Sequence, residues 1–164
     1  MSSTETVEVD GRSRVFNDDL LDKLVGKWKV SGNIVGRKLE HSAEVKWVLN
    51  HQFLQVHFLD ASPVNPKDPT PKYETLVYVG YDNMSERYVV FWLDVFGGRF
   101  AETIGFGTPE SPDSIMFVFQ YPDGPLHNTF SFNRDRGTWT IKIVQKDAKG
   151  EWADFATELL EKVR

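Results

Sequence analysis

Hydrophobic and polar residues alternate along most of the chain with the two-residue period that is typical of β-strands. The runs are rich in β-branched and aromatic residues, which favour strands, and the residues between them are those of turns. The last run also fits a helix, because Phe155, Leu159 and Leu160 have helical spacing; we assign it as a strand. The pattern predicts ten strands: Lys27–Val35, His41–Leu49, Phe53–Asp60, Tyr73–Tyr81, Tyr88–Val95, Arg99–Phe106, Ser114–Tyr121, His127–Asn133, Thr138–Lys146 and Trp152–Lys162.

One short helix is predicted ahead of the strands. Asn17 is a suitable N-cap, two aspartates follow it in the first turn, and three leucines follow at helical spacing. Gly26 ends the segment, so we expect the helix over Asp18–Val25. Residues 1–14 are polar and without pattern, which predicts a disordered tail before a single domain over residues 15–164.

Ten consecutive strands with short turns form an antiparallel meander, and closing the meander into a barrel removes its two edges. We therefore predict an all-β fold, a closed antiparallel barrel of about ten strands with the helix plugging one end. Such a barrel is wide enough that its interior is either filled by large side chains or kept for a ligand. The 12 Phe, 5 Tyr and 5 Trp residues of the chain suit both possibilities.

Composition and motifs narrow the classes of function. A formal net charge of -5 provides no large positive field for nucleic acid, and the absence of cysteine excludes disulfides and thiolate nucleophiles. The sequence has no H-x-H or H-E-x-x-H motif, so we expect no metal site and no cofactor. It has neither a leader-like segment nor a run of the ~20 apolar residues that span a membrane. We expect a cytoplasmic protein with neither a membrane nor a nucleic-acid partner.

Several short motifs resemble those of a known fold group. A helix followed by Gly26-Lys27-Trp28 resembles the G-x-W opening of the calycins, the ligand-holding barrels that include lipocalins and fatty-acid-binding proteins. The resemblance implies a barrel with an internal cavity and a basic side chain, Lys162 or Arg164, packed over Trp28. Four further segments are similar to a bacterial family of calycin-like proteins of unknown function: Gly80-Tyr81-Asp82, Arg87-Tyr88, Trp92-Leu93-Asp94 and Thr103-Ile104-Gly105.

A more distant resemblance to nitrobindin, a ten-stranded calycin-like haem protein, raises haem as an alternative cofactor. The haem-ligating histidine of that protein lies near its C-terminal end, whereas the last histidine here is His127, so the haem site does not carry over. Strand pairing predicts that His57 and His127 face outward, with His57 opposite Glu44. His41 and His51 are predicted to be loop residues.

Pairing across the predicted Gly97-Gly98 turn places Trp92, Asp94 and Thr103 on one face, which the resemblance favours as the interior. Asp94 then either anchors a polar end of a ligand or lies solvated at the rim; Glu102 takes that place if the faces are reversed. The candidate ligand-binding residues are Trp47, Phe58, Trp92, Asp94, Thr103, Phe132 and Trp139.

These features favour the binding of a small, mostly apolar or aromatic molecule inside the barrel. Two alternatives stay open: a cofactor-independent enzyme that uses Asp94 as a general base, and a solidly packed structural or interaction module. The hairpin over Tyr88–Phe106 is apolar on both faces, so we also expect a homodimer that covers its outer face.

Overall fold

A computed structural model describes residues 8–9, 12–13, 15–99 and 101–164. Within the predicted tail, β1 (Glu8–Val9) pairs with β2 (Arg12–Ser13), and the other residues of 1–14 lie outside the described part. A short helix, α1 (Asp19–Asp22), precedes the barrel. The barrel strands are β3 (Gly26–Ile34), β4 (Arg37–Val48), β5 (Phe53–Asp60), β6 (Glu74–Asp82), β7 (Arg87–Asp94), β8 (Ile104–Ser111), β9 (Ser114–Tyr121), β10 (Gly124–Asn133), β11 (Thr138–Lys146) and β12 (Trp152–Lys162).

The ten strands β3 to β12 form a closed antiparallel barrel, as predicted. Each strand pairs with the next along the chain, and β12 pairs with β3 to close the ring. The last run is therefore a strand, because Ala156 to Lys162 supply the residues that pair with β3. Closure gives every barrel strand two neighbours and leaves no open sheet edge.

Alternate residues of each strand face the interior. In β5, Leu54, Val56 and Phe58 are buried inside, while the residues between them face outward. His57 is one of these outward residues: it lies opposite Glu44, as predicted, and its ring contacts the Glu74 carboxylate at 2.5 Å. The two-residue period therefore identifies which side chains can reach the barrel interior.

The helix is shorter than the sequence predicts. We expected Asp18–Val25 with Asn17 as the N-cap, but α1 spans Asp19–Asp22 and the cap is Asp18, which accepts a 2.8 Å hydrogen bond from the Leu21 N–H. The aspartate carboxylate satisfies a free N–H at the helix start, so the helix begins one residue later than expected. No helix in the described segments is long and apolar enough to cross a membrane.

Tryptophan side chains hold α1 and the turn after it against one end of the barrel. Three indole N–H groups donate to this segment: Trp28 to the Leu24 carbonyl (2.7 Å), Trp47 to the Asp22 carboxylate (2.9 Å) and Trp139 to the Lys23 carbonyl (3.2 Å). Leu21 and Leu24 are buried in the same cluster. Trp28 is itself covered by Lys162, whose Nζ lies 5.4 Å from the ring centroid, so Lys162 occupies the position expected for either Lys162 or Arg164.

The connection between β7 and β8 differs from the predicted hairpin. Gly97–Arg99 forms a 3₁₀ helix within a longer loop, and β8 spans Ile104–Ser111 instead of Arg99–Phe106. Pro109 lies opposite Ile115 of β9, and the pairing shifts by one residue between Pro109 and Ser111, as at a β-bulge. The pairing nevertheless keeps the expected alignment, with Val90 opposite Gly105. The faces assigned from the sequence are therefore correct although the turn is not.

A tight turn at Val35-Gly36 lets β4 begin earlier than the sequence predicts. Both residues have positive φ values, 48° and 74°, as in the two-residue turns that match strand twist. Because β4 starts at Arg37, His41 lies within the strand, faces the interior and is buried. The prediction that His41 is a loop residue is wrong.

Replacing Trp28 by Ala should lower the free energy of unfolding by about 3–5 kcal/mol, because a fully buried aromatic side chain leaves a cavity behind. Urea unfolding measures the change. Trp152→Ala is the control, since Trp152 is an exposed tryptophan of β12. An unchanged melting temperature for Trp28→Ala would remove the argument that this residue closes the barrel end.

The predicted homodimer stays a prediction, and the outer face of β7 and β8 is the surface on which it would form. Leu93 and Ile104 are each 47% exposed there, beside the partly exposed Phe106. We expect light scattering at high micromolar concentration to give the mass of a dimer, and Ile104→Lys to give a monomer. Leu159→Lys, a change at another exposed outward leucine, should leave the dimer intact. A wild-type monomer at that concentration would contradict the prediction.

Candidate ligand-binding cavity

The barrel contains a cavity of about 850 Å³ at the end away from α1. The strand ends that line it are the C-terminal ends of β3, β5, β7, β9 and β11 and the N-terminal ends of β4, β6, β10 and β12. At the opposite end, Leu21, Leu24 and Trp28 fill the interior. The barrel is therefore packed at one end and hollow at the other.

Aromatic rings form one wall of the cavity. Phe58 stacks on Trp92 at 6.2 Å between ring centroids, and Phe119 meets Trp92 edge to face at 6.3 Å. Gly105 makes this arrangement possible, because a Cβ atom at that position would lie 2.9 Å from the Phe119 ring. The opposite wall is aliphatic or small, with Leu39, Leu126, Ile143 and Ala156 among its residues.

Four polar side chains are buried around the cavity: His41, Thr75, Asn128 and Glu158. The Thr75 hydroxyl donates to the Leu93 carbonyl at 2.8 Å. In contrast, Asn128 Oδ1 and His41 Nδ1 have no hydrogen-bond partner within the described structure. Buried polar atoms without partners are rare because each costs free energy, so these two atoms are suited to a bound molecule.

Burial controls the protonation of two of these groups. Burial raises the pKa of Glu158 from 4.5 to about 7, because the carboxylate is costly to ionise away from water. Burial also lowers the pKa of His41, and the nearby Asp60 charge opposes this shift only in part. Near neutral pH the imidazole is therefore uncharged, and Glu158 is divided between its acid and carboxylate forms.

Tyr73 lies next to His41 and close enough to Glu158 to feel its charge. Its ring stacks on His41 with centroids 5.4 Å apart. Burial raises the pKa of the phenol, hydrogen bonding with Thr75 and Trp92 opposes the shift, and the charges of Asp94 and Glu158 add to it. The phenol is thus a neutral hydroxyl group with carboxyl groups on two sides.

Charged residues surround the mouth. Asp94 is half-buried and accepts a 2.9 Å hydrogen bond from the Phe96 N–H, while Glu102 is exposed. Burial raises the pKa of Tyr121, to which the charges of both carboxylates contribute, so both lie near that ring. Asp94 and Glu102 were predicted to lie on opposite faces of the sheet. Both lie at the mouth of the cavity, because the loop between β7 and β8 turns Glu102 toward it.

The structure brings some of the predicted residues together and separates others. Phe58, Trp92 and Asp94 line the cavity. Thr103 is not among the residues that line the cavity, and its carbonyl accepts a 2.7 Å hydrogen bond from the Trp92 N–H. Trp47, Phe132 and Trp139 lie at the packed end, where Trp47 and Trp139 bond to the α1 segment and Phe132 packs against Trp139.

The two-residue phase of the strands identifies the buried polar residues Asn128 and Glu158, which are not among the predicted site residues. Asn128 shares the phase of Phe130 and of Phe132, an aromatic residue predicted to line the interior. Glu158 shares the phase of Ala156 and Leu160 in the same way. A polar residue in the inward phase of an assigned strand is therefore the pattern that identifies the site.

The described residues provide no group of three or more His, Cys, Asp or Glu side chains placed to hold a metal ion. His127 lies on the outer face of the barrel, where its ring centroid is 4.4 Å from that of Trp152. His51 stacks on Trp47 at 4.0 Å at the packed end. Of the four histidines, His41 lines the cavity.

Comparison with known proteins gives one family match. A family model described as a protein of unknown function (DUF1579) matches residues 17–160. No curated protein matches the chain.

The raised pKa of Glu158 predicts how stability depends on pH. The folded state keeps the proton up to about pH 7, whereas the unfolded chain releases it near 4.5, so ionising Glu158 destabilises the fold as pH rises. Relative to Glu158→Gln, the wild type should lose roughly 3 kcal/mol of unfolding free energy between pH 4 and pH 8.

Urea unfolding at the two pH values measures this difference. Glu161→Gln, an exposed position on the same strand, is the control and should change with pH as the wild type does. If Glu158→Gln also follows the wild-type pH dependence, the carboxyl is not held in a desolvated site.

Proposed function

The chain belongs to the DUF1579 family of proteins of unknown function, and we propose that its barrel binds one small, largely apolar or aromatic molecule in the cavity beside Trp92. The observation that carries this proposal is the hollow end of the barrel. Its volume of about 850 Å³ lies within the ~300–1,000 Å³ typical of small-molecule sites.

The chemistry of the lining supports the same function. Phe58, Trp92 and Phe119 offer aromatic faces for stacking, and the aliphatic residues opposite them offer apolar contact. A few convergent polar groups in a mostly apolar cavity are typical of ligand sites, where they orient the bound molecule. In this proposal Asn128 and Glu158 perform that role deep in the cavity, and Asp94 performs it at the rim.

Acid–base catalysis is a second candidate, and Glu158 favours it more than Asp94 does. A catalytic acid or base works best with a pKa near the working pH, and burial brings Glu158 to about 7. Asp94 already accepts the Phe96 N–H and lies half-exposed at the rim, which suits a binding role better than proton transfer in a dry site. Mass spectrometry of a bound molecule before and after incubation separates the two functions, because an enzyme converts the molecule.

Binding should change the intrinsic fluorescence, because indole emission follows the polarity around the ring. Titration with a fatty acid, a bile salt, a flavonoid, haem and an aromatic amine should give a saturable change for at least one probe. Trp92→Phe should remove most of that change. Trp152→Phe should leave it, because Trp152 is exposed on the outer face of the barrel.

Native mass spectrometry of the purified protein provides an independent measurement, since a retained guest adds a defined mass. An unoccupied protein together with no saturable Trp92-dependent signal from the panel would contradict the binding function. That result would favour the packed structural module.

A further inference from the structure

The unpartnered groups around the cavity are mainly acceptors. Asn128 Oδ1 can only accept, and Asn128 is 2% exposed. Glu158 accepts through both oxygens when ionised, and His41 Nδ1 accepts in the tautomer that carries its proton on Nε2. A molecule that satisfies these atoms must carry N–H or O–H donors.

The charges around the cavity favour a positive ligand. Its lining includes five carboxyl residues and two permanent cations: Glu40, Asp60, Asp94, Glu102 and Glu158, with Arg37 and Lys38. Lys38 pairs with Glu40 at 3.2 Å on the exposed rim, so these two largely offset each other. The remaining excess is negative, and it extends from the mouth to the buried Glu158.

The aromatic wall adds to this preference. Phe58 and Trp92 line the cavity, and aromatic rings attract cations as well as apolar groups. A carboxylate ligand such as a fatty acid would instead meet like charge at the mouth and again at Glu158. An apolar anion is therefore the ligand that this cavity suits least.

Building on the proposed function, we propose that the cavity selects an amphiphilic cation: an aromatic or apolar body along Trp92 with a protonated amine donating to Glu158 and Asn128. The amine supplies the donors that these atoms lack, and its charge stabilises the ionised Glu158. Its body occupies the space between the aromatic and aliphatic walls.

The proposal predicts that amine affinity rises with pH. The residues paired with Glu158 on the neighbouring strands, Gly32 and Ile141, are not titratable. Among the other titratable residues that line the cavity, Tyr73 and Tyr121 stay neutral because their pKa values are raised, and His41 becomes positive only in acid. The charged residues of the lining are Arg37, Lys38, Glu40, Asp60, Asp94 and Glu102. Raising the pH from 6 to 8 ionises Glu158 and should strengthen amine binding about ten-fold.

Three probes with one ring system and different charge test the proposal: 2-(1-naphthyl)ethylamine, 2-(1-naphthyl)ethanol and 1-naphthylacetate. Isothermal titration calorimetry of the wild type at pH 7.5 should give the tightest binding for the amine, at least ten-fold tighter than for the acetate. Titration in buffers of different ionisation enthalpy should show proton release when the amine binds at pH 7.

Glu158→Gln should weaken the binding of the amine at least ten-fold and the binding of the alcohol less than two-fold. Glu161→Gln is the matched control, because it removes the same charge from the outer face of the same strand and should change neither. Asn128→Leu is a second variant, and it should weaken the binding of the amine more than the binding of the acetate. The wild-type comparison of the three probes needs no variant and decides the question even if a variant fails to fold.

Each outcome has a distinct meaning. If the alcohol or acetate binds as tightly as the amine, the charge selection is overturned while the ligand-binding function stands. Equal weakening of all three probes by Glu158→Gln also overturns it, since that result assigns Glu158 to cavity shape. If none of the three probes binds, the charge selection is overturned, and the fluorescence panel and native mass spectrometry then decide separately whether the ligand-binding function stands.

Discussion

The hydrogen bonding of three indoles to the α1 segment is the interaction on which the rest of the structure depends. Trp28, Trp47 and Trp139 come from three different strands and all donate to groups within residues 22–24. The Tyr88 hydroxyl adds a hydrogen bond to Asp18, the residue that caps the helix. These contacts fill one end of the barrel with large side chains. A ten-stranded barrel needs such filling at one end to remain hollow at the other without collapsing.

The hollow end differs from the packed end because polar side chains are buried there, which lowers the stability of the folded protein. Burying these polar residues around a cavity destabilises the folded protein, since Asn128 Oδ1 and His41 Nδ1 lack a hydrogen-bond partner and burial makes the Glu158 carboxylate costly to ionise. A packed structural module would gain stability from apolar residues at these positions. Their presence inside the barrel therefore supports the proposal that a bound molecule supplies the missing partners.

Much of the fold could be predicted from the sequence because the strand period is local. The alternation of Leu54, Val56 and Phe58 already identifies their inward face, and the alignment of β7 with β8 was predicted correctly from the residues themselves. The loop after β7 could not be predicted, because Gly97-Gly98 suits both a hairpin turn and the 3₁₀ helix that forms. His41 was misplaced for a similar reason: Val35 adopts a positive φ, which a β-branched residue seldom does.

Only part of the candidate site could be predicted, because the sequence does not show where along the barrel axis each inward residue lies. The inward phase shows that Trp47, Trp92 and Trp139 all point inside, but it does not show at which end each lies. That depends on which end α1 occupies, and α1 contacts Trp47 and Trp139 while Trp92 lies at the other end. Asn128 and Glu158 share the inward phase of their strands, but a polar residue can be placed inside only when the two faces of its strand have been assigned.

The central claim is that one end of the barrel is a binding site and not an incompletely packed core. A crystal structure of the natively purified protein tests this most directly, at a resolution that separates ordered water from an organic molecule. The account predicts continuous density of one organic molecule along Trp92, ending within hydrogen-bond distance of Glu158 and Asn128. A cavity closed by inward-turned side chains, or one filled with water alone even after soaking with the naphthyl amine, would contradict it.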